Sequence, residues 1–152
     1  MTTSTILRRA AAWAVAAWLA LACAAPAWCD EVTDHADMLM KAFSWRESYD
    51  YLAPFEQQRT GQYDFDFRLG RSAFNAEMYD VAGKIFSRMV ANDPKDALAR
   101  FDLGRTYFIL GDYRLAKEQL EAAKAMLTQN DMLIEMALFY VDSRLKKEAA
   151  AR

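Results

Sequence analysis

FRLGRSAF at residues 67–74 returns as FDLGRTYF at residues 101–108, every matched position 34 residues further on. A period of that length marks a helical repeat, in which each unit has an apolar face that only a neighbouring unit can cover. Setting residue 63 against residue 97 and moving along both without a gap pairs Phe67 with Phe101, Leu69 with Leu103 and Gly70 with Gly104. Arg71 meets Arg105, Phe74 meets Phe108, Tyr79 meets Tyr113 and Ala82 meets Ala116. Ser72/Thr106, Val81/Leu115 and Phe86/Leu120 are conservative pairs.

The spacing predicts two helices per unit. Leu103, Tyr107 and Leu110 stand at i, i+4 and i+7, one face of a helix. Gly111-Asp112 breaks that helix, and Tyr113, Ala116, Leu120 and Ala123 form the next apolar stripe. A glycine inside a helix costs roughly 1 kcal/mol against alanine, so its recurrence as Gly70 and Gly104 predicts a close approach of two helices at that level. Asn92-Asp93-Pro94 closes the first unit, because proline disfavours helix in the residue before it and suits a helix start.

This order of Leu-Gly, an aromatic three positions on, Gly-x-Tyr, Ala, a bulky apolar residue and a closing Pro resembles the tetratricopeptide repeat (TPR). The resemblance implies an all-α, right-handed solenoid of helical hairpins. The chain departs from the pattern at Glu77 (the turn glycine), Ala73 (the aromatic) and Thr128 (the closing proline). Asp66 and Arg100 also stand where an early apolar residue is usual. In wider order, YLAPFE, GQYDFDFRLGRSAF, YDVAGKIFSRMVANDP and ALARFDLGRTYFILGDYRLAKEQLE look like the N-terminal periplasmic TPR domain of surface lipoprotein assembly modifiers, over roughly residues 45 to 145. No barrel strands follow, so translocation across an outer membrane is not carried over. Only partner binding is.

Two repeats do not bury their own faces, so the flanks of 63–96 and 97–130 must contribute. Stepping back 34 residues from Tyr79 and Phe86 lands on Trp45 and Leu52. With Tyr49 they form a helical stripe, which predicts a degenerate repeat over about 33–60, kinked or ended at Pro54. On the other side a capping helix is expected over 131–148. Leu133, Met136, Ala137, Tyr140, Val141 and Leu145 would cover the last hairpin, and Lys146-Lys147 would meet the negative end of the helix dipole. The TPR domain is thus expected over 30–149.

Residues 1–27 have a basic start, MTTSTILRR, an apolar run from Ala10 and the small-residue pattern Ala25-Pro26-Ala27. They read as a secretory signal cleaved after Ala27, which places the protein in the periplasm or outside the cell. The run of 20 residues from Ala10 to Cys29 is also long enough for an uncleaved inner-membrane anchor. ALAC at 20–23 loosely resembles a lipoprotein box, with leucine one place too close to the cysteine. Cleavage would remove Arg8, Arg9 and Cys23 and leave all 21 acidic residues, so the mature chain would be more acidic than the −2 of the whole. Such a charge disfavours nucleic acid as a partner. With Cys29 alone at the mature N-terminus, stability must come from packing.

The residues for catalysis are sparse. His35 is the only histidine, and there is no glycine-rich phosphate loop and no Cys/His cluster for zinc or haem. No cofactor or metal is expected. Asp64 with Asp66, and Asp30, Asp34 and Asp37, read as helix caps and dipole partners before they read as acid/base pairs. The chain is expected not to be an enzyme.

The echoed phrase has a second helical face. Phe67, Arg71 and Phe74 stand at i, i+4 and i+7, as do Phe101, Arg105 and Phe108. Both sets are rotated away from the stripe of Leu69, Gly70 and Ala73 and its counterpart Leu103, Gly104 and Tyr107. In the TPR resemblance these positions point into a concave groove, flanked by Asn75 and Ile109. Aromatic rings with arginine are enriched at protein-recognition hot spots, and an arginine held between rings can fork onto a carboxylate. The same rings could instead fill gaps between repeats, with the arginines lying over them. The expected function is that of an exported adaptor holding a protein or extended peptide, such as an outer-membrane assembly or secretion component. The alternative is a membrane-anchored TPR subunit of an inner-membrane export or maturation complex.

Overall fold

A computed structural model describes residues 27–127 and 131–151. Among them the elements are α1 (Ala27–Lys41), α2 (Trp45–Leu52), a 3-10 turn (Ala53–Phe55), α3 (Glu56–Arg59), α4 (Tyr63–Asn75), α5 (Tyr79–Asn92), α6 (Ala97–Leu110), α7 (Tyr113–Met126) and α8 (Met132–Ala150). The chain divides between His35 and Ala36, and the packing of α2 to α8 belongs to the unit that starts at Ala36. Apart from Ala27, the export segment expected over 1–27 lies outside the described residues, as does Thr128.

The fold is an all-α solenoid of TPR-type hairpins. Packing runs from each helix to the next: α4 on α5, α5 on α6, α6 on α7 and α7 on α8, with α2 against α4. The 34-residue register governs the turns inside the hairpins. Phe43, Glu77 and Gly111 all have left-handed backbone, with φ of 59°, 62° and 88°. At each turn the next amide reaches back to a carbonyl in the last turn of the helix: Ser44 to Leu39 (3.0 Å), Met78 to Ala73 (2.9 Å) and Asp112 to Tyr107 (2.9 Å). The left-handed residue's own amide bonds Met40, Phe74 or Phe108 at 3.0, 3.1 and 3.2 Å. This is the Schellman closure, which satisfies carbonyls that a helix end leaves without partners. It occurs three times in register, and Trp45, Tyr79 and Tyr113 then open the second helices.

The same register builds the core. Ser48, Ala82 and Ala116 are fully buried, and so are Leu52, Phe86 and Leu120. Opposite them stand Ala36, Gly70 and Gly104. A Cβ on Gly70 would lie 2.8 Å from the Phe86 ring, and one on Gly104 would lie 2.7 Å from Leu120 Cγ and 3.2 Å from the Ala116 carbonyl. The glycines are therefore where the helices of a hairpin come closest. Gly83, in α5, differs: its Cβ would meet Thr106 at an ordinary 3.5 Å.

These two backbone features predict the same response to opposite edits. Glu77→Gly relieves a left-handed non-glycine residue and Gly83→Ala removes a flexible site from mid-helix. Each should stabilise by about 0.5–1 kcal/mol, a rise of roughly 2–6 °C in Tm. A thermal melt that showed either variant below the parent would contradict the assignment.

The charged residues at the two early apolar positions have partners. Asp66, 1% exposed, accepts from Arg88 at 2.7 and 3.2 Å and from the Gly61 amide at 2.9 Å. Arg88 also donates to Glu56 at 3.0 Å, which ties α3, α4 and α5 together. Arg100 donates to the Pro94 carbonyl and to Gln119, both at 2.8 Å. Asp96 caps α6 by accepting from the Leu98 and Ala99 amides, and Asp131 caps α8 through the Leu133 amide. Pro54 lies in the 3-10 turn between α2 and α3, so it interrupts the second helix of the first repeat and the chain stays helical to Arg59.

Helix α8 departs from the sequence expectation. Its buried residues are Ile134 and Val141, with Ala137, Leu138 and Leu145 packed around the Ala116–Leu120–Val141 cluster. Leu133, Met136 and Tyr140, expected to cover the last hairpin, are exposed. The helix carries two apolar stripes where the sequence reading took one.

Candidate binding groove

The first helices of the two clear repeats, α4 and α6, bring their Phe and Arg side chains onto neighbouring rungs. The sequence places Arg105 between Phe101 and Phe108, but in space its guanidinium bridges two repeats. It lies 4.5 Å from the centroid of Phe74 on α4 and 5.5 Å from that of Phe101 on its own helix. Arg71 lies 5.3 Å from the Phe67 centroid, and Tyr63 stacks on Phe67 at 6.0 Å. Cations over ring faces are held by the ring quadrupole. The rings are fixed in turn: Phe74 meets Tyr79 and Phe108 meets Tyr113, each with centroids 5.5 Å apart. These two contacts are one repeat apart.

Carboxylates orient the cations. Arg68 grips Asp37 through two bonds, at 2.6 and 2.8 Å, and this hydrogen bonding holds the Asp37 carboxyl below the usual carboxylate range. One repeat on, the charges are reversed, with Arg71 and Asp102 at the corresponding positions. Burial pushes the Asp102 carboxyl up, against the pull of Arg105 and Arg71. Arg105 Nη1 donates to Asp102 Oδ1 at 3.0 Å. A guanidinium has five N–H donors, and the Arg105 side chain remains 42% exposed, so part of its fork faces outward.

Beside Arg105 is an apolar cleft of about 300 Å³. Phe74, Arg105, Phe108 and Ile109 line one side, and Leu120 of α7 with Ala137, Tyr140 and Val141 of α8 line the other. Half of the residues expected from the sequence thus meet at one cavity. Phe101 contributes through Arg105, while Phe67 and Arg71 form the rung before it. Asn75 does not join them: its side-chain amide donates to the Arg71 carbonyl at 2.8 Å at the end of α4. The residues that sequence reasoning missed are those from α7 and α8. By sequence Leu120, Ala137, Tyr140 and Val141 read as packing residues, and the signal for their second role is that α8 has more apolar positions than one buried stripe can use. Among the described residues no group of three His, Cys, Asp or Glu side chains is placed to hold a metal ion.

No protein-family model and no curated protein matches the chain. Solved structures do. The Sgt2 TPR domain from Aspergillus fumigatus superposes with a TM-score of 0.71 at 16% identity, covering 80% of this chain and 81% of that one. The first TPR of Spaghetti (RPAP3), bound to the HSP90 peptide SRMEEVD, gives 0.69 at 16% identity over 76% and 90%. The Yersinia enterocolitica type III secretion chaperone SycD, in complex with a peptide of the translocator YopD, gives 0.65 at 15% identity over 81% and 93%. At these identities the likeness is one of fold.

Proposed function

We propose that this chain is a non-enzymatic adaptor that holds an extended peptide segment in the groove of α4 and α6, with the cleft closed by α8. The observation that carries the reading is the Arg105 guanidinium, fixed over Phe74 and Phe101 at the mouth of an apolar cavity of about 300 Å³. That combination suits a large apolar side chain entering the cleft with a carboxylate meeting the arginine. Two similarly folded proteins, RPAP3 and SycD, are seen with peptides, which supports the same use here. We place it in the cell envelope, with a partner in surface-protein assembly or export; what supports this is the basic-then-apolar segment over 1–27 and the sequence resemblance to the periplasmic TPR domain of surface lipoprotein assembly modifiers.

The test is fluorescence polarisation with short peptides that carry Leu, Met or Phe, each with a free or an amidated C-terminus. Free-acid peptides should bind, and Arg71→Gln with Arg105→Gln should weaken them by about tenfold or more. Glutamine leaves Asp102 a donor but no counter-charge, so affinities are compared at a temperature where melting curves show the double variant folded. Unchanged affinity in the double variant, or no binding by the parent chain, would sink the reading.

A further inference from the structure

Helix α8 is the last of the described helices, and its outward stripe is apolar where an uncovered solenoid face is ordinarily polar. Met132, Leu133, Met136, Phe139 and Tyr140 are between 48% and 71% exposed. Leu133, Met136 and Tyr140 stand one repeat after Ala99, Asp102 and Thr106, all buried in α6. The register thus carries large apolar groups at covered positions into a helix where, among the described residues, nothing covers them. Apart from Tyr140 at its edge, this face lies outside the peptide cleft.

We infer that this face pairs with the same face of a second copy of the chain, with the two α8 helices antiparallel. The spacing is self-complementary about Met136: in a two-fold pair Met132 lies opposite Tyr140, Leu133 opposite Phe139, and Met136 opposite its own mate. Charge sets the direction. Asp131 and Glu135 (the latter also paired with Lys124) stand at the start of α8, whereas at its end Arg144, Lys146 and Lys147 outnumber Asp142 and Glu148. A parallel pair would bring two ends of like net positive charge together. An antiparallel pair sets each basic end beside the other helix's acidic end and opposes the two helix dipoles. The exposed parts of the five side chains come to on the order of 600 Å² per copy, so pairing removes roughly 1,200 Å², the area at which specific interfaces begin. An interface of that size gives a reversible dimer in the micromolar range.

Sedimentation equilibrium of the full chain tests this against Met136→Glu with Phe139→Glu. Neither residue lines the cleft, and both are exposed, so at concentrations below the dimer range the melting curve should not move. The parent should show a roughly twofold rise in weight-average mass between about 1 and 100 μM, and the double variant should stay at the monomer mass. A parent that stays monomeric, or a variant that associates equally, overturns the inference. A Met136→Cys variant, with Cys23 and Cys29 replaced by serine, should form a covalent dimer under mild oxidation, whereas Lys146→Cys should not. Equal cross-linking of the two would overturn the antiparallel arrangement. Peptide affinity should be unchanged in the double glutamate variant, so failure of the groove reading leaves this result interpretable on its own.

Discussion

Replacing Arg88 with alanine is expected to cost about 3–5 kcal/mol of folding stability, the largest effect of any charged residue in the chain. Asp66 is 1% exposed and draws two of its three hydrogen bonds from that guanidinium. Without Arg88 a carboxylate stays buried with only the Gly61 amide, and Glu56 loses its tie to α5. Asp66→Asn combined with Arg88→Met should recover most of the loss, because it removes the uncompensated charge together with its partner. Urea midpoints of the two variants make the comparison. A loss below about 1 kcal/mol in the single variant would mean that Asp66 reaches water.

The second large effect lies at the closest approach of α6 and α7. Leu120→Ala empties a fully buried site beside Gly104 and should cost about 2–5 kcal/mol. Gly104→Ala pushes a Cβ to 2.7 Å from Leu120 and 3.2 Å from a backbone carbonyl that cannot swing aside. Overpacking of this kind costs about 1–3 kcal/mol, more than the helix propensity gained. In the double variant the new methyl occupies part of the vacated space. Its loss should therefore fall short of the sum of the singles by at least about 0.5 kcal/mol. Additive losses would place Gly104 away from Leu120.

The hairpins were legible because their signals are local and periodic. The 34-residue echo fixed which residues correspond, and Gly70 and Gly104 foretold the close approach that their missing Cβ atoms allow. The left-handed turns were half legible. Gly111 announced one, whereas Glu77 and Phe43 adopt the same backbone against their residue type, because the hydrogen bonds of the closure and the next helix hold them there. Asp66 and Arg100 read as departures from a pattern, since the partners that make them tolerable lie 22 and 19 residues away on other helices. In the groove, the order Phe-Arg-Phe put the aromatic and cationic side chains on one face. It did not reveal that Arg105 rests on the ring of the preceding repeat, which depends on how α4 and α6 stack. The role of α8 was least legible, because apolar spacing alone does not say which of two stripes faces inward.

A solenoid whose helices pack mainly on their neighbours opens most readily at its outermost helices. Helix α8 is the outermost of the described helices on this side, and it supplies Ala137, Tyr140 and Val141 to the cleft. Fraying of that single helix would dismantle the cavity wall while α4 to α7 remain intact. If the cleft is occupied, occupancy and order in α8 would be coupled. A peptide held in the cavity would then act as a latch on α8, and amide exchange in that helix would slow when the latch is closed.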